Sequence, residues 1–228
     1  MTLSFEERRV LGTLVEKAYT TPQQCPLTLN SLVSGCNQKS CRDPVTYFDE
    51  EKLLHTLDKL RDKGLAVLVR MTGSHVDRWR QQLADAWELS PPETAVLAEL
   101  LLRGAQTDGE LRQRANRMVT IDSLDTLGEL LRDLASREPP LVARVSPPGK
   151  KRGVKYDHML YPEGEKPAIV DMEAEVTPVT SPAPSLAATS PSSPSLAELQ
   201  SEIHELRATV SELSKRVAKL EARPKSPQ

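Results

Sequence analysis

The sequence predicts an α+β protein that is mainly α-helical with small β-hairpins, and an internal repeat is the main reason. The apolar pattern Leu3-Ser-x-x-Glu-x-x-Val-Leu-x-x-Leu14 recurs as Leu89-Ser-x-x-Glu-x-x-Val-Leu-x-x-Leu100. Each copy is followed by two further helical patterns and then by two β-rich runs. The chain therefore encodes one small module twice.

The predicted helices have recognisable start signals. Ser4 and Ser90 fit the N-cap position, and Glu7 and Glu93 follow at the spacing of a capping box. The other predicted N-caps are Thr28 and Thr107 for the second helices, Asp49 for the third helix of the first copy, and Asp122 or Ser123 for that of the second copy.

Each third helix is expected to end at a breaker, Gly64 in the first copy and Pro139-Pro140 in the second. β-rich runs follow at residues 65–70 and 141–145, with return strands near residues 75–80 and 154–160. Three helices and a terminal hairpin make a winged helix. We therefore predict winged-helix domains at residues 1–88 and 89–161.

The C-terminal third has a different composition. Residues 162–194 are rich in Pro, Ser and Thr, which predicts a disordered linker. Residues 195–223 carry a heptad pattern, which predicts a parallel coiled-coil dimer, although the helix could instead pack on its own chain. The predicted dimerisation residues are Leu196, Leu199, Ile203, Leu206, Val210, Leu213, Val217 and Leu220.

Several function classes lack support in the sequence. The N-terminus resembles neither a signal peptide nor a membrane span, so we expect a cytoplasmic protein with no membrane contact. Phosphate-binding, nucleophile and metalloprotease motifs are absent, and Cys25, Cys36 and Cys41 have no familiar zinc spacing. We therefore expect no enzyme activity, no catalytic residues, no cofactor and no metal.

Charge is balanced in both copies. Residues 1–88 carry 12 Lys and Arg against 12 Asp and Glu, and residues 89–163 carry 11 against 11. A dedicated nucleic-acid-binding domain usually has a basic excess, because neutralising phosphates supplies most of its affinity. Contact with DNA would have to come from local patches.

Two patches contain the candidate contact residues. One is a polar insertion between the second and third helices of the first copy, whose residues could instead cap helix ends and hold the loop together. The other is the second wing, together with arginines near the end of the preceding second helix; a solvated hairpin tip is the alternative. The candidates are Asn37, Gln38, Lys39, Ser40, Arg42, Arg112, Arg114, Arg117, Lys150, Lys151, Arg152 and Lys155.

The third helices argue against simple reading of the DNA major groove. Asp49, Glu50 and Glu51 open one of them, while Asp122 and Asp125 lie at the start of the other. Carboxylates suit a helix N-terminus but are repelled by phosphates and electronegative base edges. A protein partner is therefore a comparable alternative.

The segment Cys36-Asn-Gln-Lys-Ser-x-Arg-Asp-Pro-Val45 resembles the YceH-like family of uncharacterised bacterial proteins. The resemblance continues through Leu102-Arg-Gly-x-Gln-Thr-x-Gly-Glu-Leu-Arg112 and covers residues 1–161. It implies tandem winged helices and no settled activity. Cys41 stands where the family usually has Asn.

These observations lead to two hypotheses. The first is a dimeric, DNA-associated or regulatory protein that uses the second wing and the polar insertion. The second is a protein–protein adaptor that binds through its winged helices, as ScpB-like chromosome-segregation proteins do, by analogy of fold alone.

Overall fold

The computed structural model describes residues 1–70, 76–147, 149–150 and 152–165, and these contain seven α-helices and two three-stranded antiparallel sheets. The α+β class is thereby confirmed. The helices are α1 Phe5–Thr20, α2 Leu29–Cys36, α3 Glu50–Asp62, α4 Leu83–Ala86, α5 Pro91–Arg103, α6 Asp108–Ala115 and α7 Leu124–Ser136. The strands are β1 Leu27–Thr28, β2 Ala66–Val69, β3 Arg78–Gln81, β4 Gln106–Thr107, β5 Val142–Arg144 and β6 Lys155–His158.

The two halves repeat the order helix, strand, helix, helix, strand, strand, and in the first half this series is followed by α4. Their sheets have the strand orders β1-β3-β2 and β4-β6-β5. Leu27 pairs with Trp79 in the first sheet, and Gln106 pairs with Tyr156 at the matching position of the second. The sequence did not predict β1 and β4, because two residues are too few to show strand alternation.

The helix starts follow the predicted signals. Glu7 N donates to Ser4 Oγ at 3.3 Å, and Ser4 N donates to the Glu7 carboxylate at 2.6 Å, which completes a capping box. At the start of α5, Ser90 N donates to the Glu93 carboxylate at 2.8 Å. The remaining predicted N-caps also stand before their helices, with Ser123 before α7: Thr28, Thr107, Asp49 and Ser123.

One cluster of buried apolar side chains runs through both copies. Helix α1 packs against α5, and Gly12 lies at this contact. An added Cβ at Gly12 would lie 2.8 Å from Leu102 Cγ and 3.2 Å from the Ala98 carbonyl oxygen. The close approach of the helices therefore depends on glycine. The division into domains at residues 88 and 89 stays a prediction, and the copies on either side of it share a core.

All described residues belong to one compact unit. The predicted coiled coil and residues 166–194 of the predicted linker lie outside the described residues. Within the described part of the chain, no helix has the length and apolar character needed to cross a bilayer.

Candidate functional site

The polar insertion is held together by its own side chains. Asn37 Nδ2 donates to the Phe48 carbonyl oxygen at 2.7 Å, and Asn37 Oδ1 accepts from Phe48 N at 2.7 Å. Thr46 Oγ1 donates to the Cys36 carbonyl oxygen at 2.9 Å. Asn37 thus connects the end of α2 to the residue before the α3 cap, as the structural alternative for this loop expected.

Arg42 lies in a buried ion-pair network that joins the two copies. Its guanidinium donates to Glu16 of α1 and, at 3.0 Å, to the Gly35 carbonyl oxygen. Arg117 donates to Glu16 as well and to Glu99 Oε2 of α5 at 2.7 Å. The side chains of Glu16 and Glu99 are almost completely buried. We refer to Glu16, Arg42, Glu99 and Arg117 as the buried network.

The electrostatics of the buried network favour the charged forms of Glu16 and Arg117. Burial raises the pKa of the Glu16 carboxyl, but hydrogen bonds from Arg42 and Arg117 outweigh this effect and hold the pKa below its usual value. Burial lowers the pKa of Arg117, whereas its bonds to Glu16 and Glu99 raise it, and the net shift is upward. Both predicted contact arginines in this network therefore have structural partners.

Two other predicted arginines, Arg112 and Arg114, also bond within the protein. Arg112 donates to the carbonyl oxygens of Ile121 at 2.9 Å and Asp122 at 2.6 Å, which fixes the connection between α6 and α7. Arg114 donates to Gln106 Oε1 at 2.8 Å and so connects α6 to β4. Spacing along the sequence does not reveal these roles.

Gln38 lines an open groove of about 290 Å³ whose lining side chains include no carboxylate. Lys17 Nζ donates to Gln38 Oε1 at 3.5 Å. The lining residues are Lys17, Gln24, Asn30, Ser31, Ser34, Gly35 and Gln38. Lys39 and Ser40 are exposed and follow Gln38 in the chain.

The second hairpin has the highest density of positive charge. Residues 141–155 contain five Lys and Arg and no Asp or Glu: Arg144, Lys150, Lys151, Arg152 and Lys155. Arg144 donates to the Pro147 carbonyl oxygen at 3.3 Å, which ties this cation to the turn. Arg144 lies in the same run, which contains no acidic residue, but was not among the predicted contact residues. Lys151 lies outside the described residues.

A cluster that sequence reasoning missed lies where β6 ends. Tyr161 Oη donates to Asp157 Oδ2 at 2.8 Å, and the Tyr161 ring stacks on His158 with centroids 4.1 Å apart. Burial raises the pKa of Asp157 to about 6 and lowers that of His158 to about 3. Neighbouring residues of a half-exposed strand normally alternate in burial, so periodicity could not indicate two buried polar neighbours.

The outer face of α3 is acidic and partly apolar. Glu50 and Glu51 are exposed, Leu54 is 45% exposed, and Tyr47, which precedes the helix cap, is 86% exposed. Among the described residues, no group of three or more His, Cys, Asp or Glu side chains is placed to hold a metal ion. The predicted dimerisation residues, Leu196 to Leu220, lie outside the described part.

Comparisons with known proteins agree with the resemblance seen in the sequence. A family model described as "Protein of unknown function, DUF480" matches residues 3–160. A UPF0502 protein from Geotalea uraniireducens is 45% identical over 178 residues, which cover 78% of each chain. Another from Geotalea daltonii is 49% identical over 152 residues, covering 66% of this chain and 69% of the relative. A third, from Opitutus terrae, is 46% identical over 159 residues, 69% of each chain.

Proposed function

Because the chain belongs to the DUF480 family, the UPF0502 family of uncharacterised bacterial proteins, we propose its function from its own geometry. The protein is a non-enzymatic, DNA-associated protein of two winged-helix modules. It contacts the nucleic acid mainly through the second hairpin. A C-terminal coiled coil joins two chains.

The winged-helix assignment is supported by the order of elements. Each copy has a helix, a short strand, two helices and a two-stranded hairpin, and the short strand pairs with the return strand of the hairpin. In proteins of this class the hairpin forms a wing beside the DNA-facing helices. The wing of the second copy is the hairpin with the acid-free run.

The five positive charges at residues 141–155 are the observation that carries the proposal. Residues 89–163 as a whole have equal numbers of basic and acidic side chains, so this charge is concentrated locally. Lysine and arginine side chains on a projecting hairpin can neutralise phosphates and release counterions. This binding depends little on base sequence, because phosphate contacts do not read bases.

Salt dependence tests the proposal. Fluorescence anisotropy with a random-sequence duplex measures the association constant at several salt concentrations. The logarithm of this constant should fall linearly with the logarithm of the salt concentration, with a slope of about −0.9 per phosphate neutralised. The triple variant Lys150→Ala, Lys151→Ala, Arg152→Ala should reduce the magnitude of this slope by about 2.7.

A matched control removes exposed cations elsewhere. The double variant Lys59→Ala, Arg132→Ala changes two exposed positions, one on α3 and one on α7. It should leave the slope nearly unchanged. Absence of binding by the full-length protein at low salt would refute the proposal. So would an equal reduction of the slope per removed charge in the two variants.

A protein partner is the second candidate, and the exposure of Tyr47 favours it. Tyr47 is 86% exposed and precedes a helix whose exposed residues include Leu54 and two glutamates. These side chains suit a partner with basic and apolar side chains. Affinity capture from lysate after nuclease treatment separates the candidates. A partner that persists with the native chain and is lost with Tyr47→Ser supports this second candidate.

A further inference from the structure

A cleft of about 450 Å³ lies between the start of α1, the turn after α5 and the end of β6. The DNA proposal leaves this cleft without a role, although Lys155 belongs to both the hairpin and the cleft wall. The charged side chains at its wall are the cations Arg8, Arg103 and Lys155 and the carboxyl groups of Asp43, Asp157 and Glu165. The segment at residues 161–165 closes one side through Tyr161 and Glu165.

Arg8 is held rigidly in this wall. Its side chain is only 5% exposed, and its Nη1 donates to the Leu3 carbonyl oxygen at 3.0 Å. The guanidinium carbon lies 4.5 Å from the centroid of the Tyr161 ring. Tyr161 is itself fixed by its stacking on His158 and its hydrogen bond to Asp157. The planar fork of Arg8 is therefore preorganised to bind two oxygen atoms of one oxyanion, a carboxylate or a phosphate.

The anion that occupies this fork is the Glu165 carboxylate. Arg8 Nη1 donates to Glu165 Oε2 at 3.3 Å, and Arg8 Nη2 donates to Glu165 Oε1. The Glu165 side chain is 42% exposed, in contrast to that of Arg8. Glu165 belongs to no helix or strand, and its backbone N donates to the Pro162 carbonyl oxygen at 3.1 Å. Arg8 is thus fixed in the buried part of the protein, whereas Glu165 lies on an exposed turn.

We propose that Arg8 is the anchor of a binding site for a small oxyanion ligand, a carboxylate or a phosphate, and that Glu165 occupies this site when the ligand is absent. The charged group of the ligand replaces Glu165 on the fork of Arg8. The rest of the ligand lies in the cleft, where Lys155 supplies further positive charge, while Arg103 is paired with Glu99. The anchor, Arg8, takes no part in the proposed contact with DNA, whereas Lys155 belongs to both proposed sites.

Competition with a tethered carboxylate predicts a specific effect of mutation. The apparent Kd of the ligand is its intrinsic Kd divided by the fraction of molecules in which Glu165 has left Arg8. If that fraction is about a tenth or less, removing the Glu165 charge tightens binding about tenfold or more. Calorimetry measures the apparent Kd of succinate and, separately, of inorganic phosphate for the wild type, Glu165→Gln and Glu163→Gln proteins.

Glu163→Gln is the matched control, because Glu163 is exposed on the same turn and its change removes the same charge. We expect Glu165→Gln to bind at least one probe about tenfold more tightly than wild type, and Glu163→Gln to behave as wild type. The probe that gains affinity identifies the ligand as a carboxylate or a phosphate. Equal affinities of the two variants for both probes would overturn the proposal.

Two further measurements locate the site. In the Glu165→Gln protein, the NMR resonance of the Arg8 side-chain Nε–H should shift along with the calorimetric titration. Adding Arg8→Lys, which keeps the charge and removes the fork, should reverse the gain in affinity. An Arg8 resonance that stays in place while the probe binds shows that the anion lies elsewhere and refutes the assignment, whether or not the Arg8→Lys protein folds.

Discussion

Replacing Arg117 with Met should destabilise the protein strongly, because Arg117 bridges two buried carboxylates from different copies of the module. The variant keeps an unbranched apolar stem in place of the aliphatic part of arginine but removes the guanidinium that donates to Glu16 and Glu99. Glu16 retains its bond from Arg42. Glu99 retains Arg103, whose Nε lies 3.1 Å from Glu99 Oε1 without an aligned hydrogen bond.

The expected loss is about 3 kcal/mol in the free energy of unfolding. Removing one member of a buried ion pair typically costs about 3–5 kcal/mol, and the lower end applies because the Arg117 side chain is 27% exposed. For a unit of this size the melting temperature should fall by about 6–12 °C. Urea unfolding followed by circular dichroism measures both the loss and its cooperativity.

Arg61→Met is the control, since Arg61 pairs with Asp58 at 3.0 Å where the two side chains are 47% and 45% exposed. An ion pair of this kind contributes about 0–1 kcal/mol. A double-mutant cycle of Arg117→Met with Glu99→Gln should give a coupling energy above about 1 kcal/mol. Equal unfolding free energies for Arg117→Met and Arg61→Met would show that the buried network does not hold the copies together.

Other measurements test the helix contact, the buried acid–base pair and the coiled coil. Gly12→Ala should lower the free energy of unfolding by about 1–3 kcal/mol in urea titrations, because its Cβ would lie 2.8 Å from a leucine of α5; an unchanged midpoint contradicts this. Asp157 has a folded pKa near 6, above its unfolded value, so its contribution to the free energy of unfolding falls as pH rises from about 4 to 6. His158 has a folded pKa near 3, below its unfolded value, so its contribution to the free energy of unfolding rises over the same pH range. The two effects oppose each other, so between pH 4 and 6 the stability of Asp157→Asn should rise and that of His158→Asn should fall, each by about 2 kcal/mol; parallel pH profiles would rule this out. Sedimentation of the full chain should show a dimer that Leu206→Asp dissociates and Ala208→Asp, at an outward heptad position, does not; a monomeric wild type would disprove the predicted coil.

The repeat and the helix starts could be predicted from the sequence because they rest on local interactions. A serine with a glutamate three residues later satisfies the first backbone N–H groups of a helix wherever that helix packs. Ser4 and Ser90 accordingly begin α1 and α5 as expected. Gly64 likewise follows α3 with a φ of 73°, in the left-handed region that glycine tolerates.

The sequence could not show which of the candidate contact residues are exposed and which are buried. Arg42 and Lys39 lie in the same polar stretch of sequence, yet Arg42 is buried against Glu16 and Lys39 is exposed. Whether an arginine faces solvent depends on which carboxylate the fold brings beside it. The partners of Arg117 are 18 and 101 residues distant in the chain, beyond any local pattern.

The sequence alone determined the α+β class, the two copies of the module and the family, since these depend on spacing, capping and composition along the chain. Only the tertiary structure decided that α1 packs on α5 at Gly12, that Glu16 and Glu99 share Arg117, and that Arg8 binds Glu165. Such contacts join residues that are far apart in the sequence, so local patterns do not reveal them. A buried charge is tolerated only where the fold places an oppositely charged or hydrogen-bonding partner beside it.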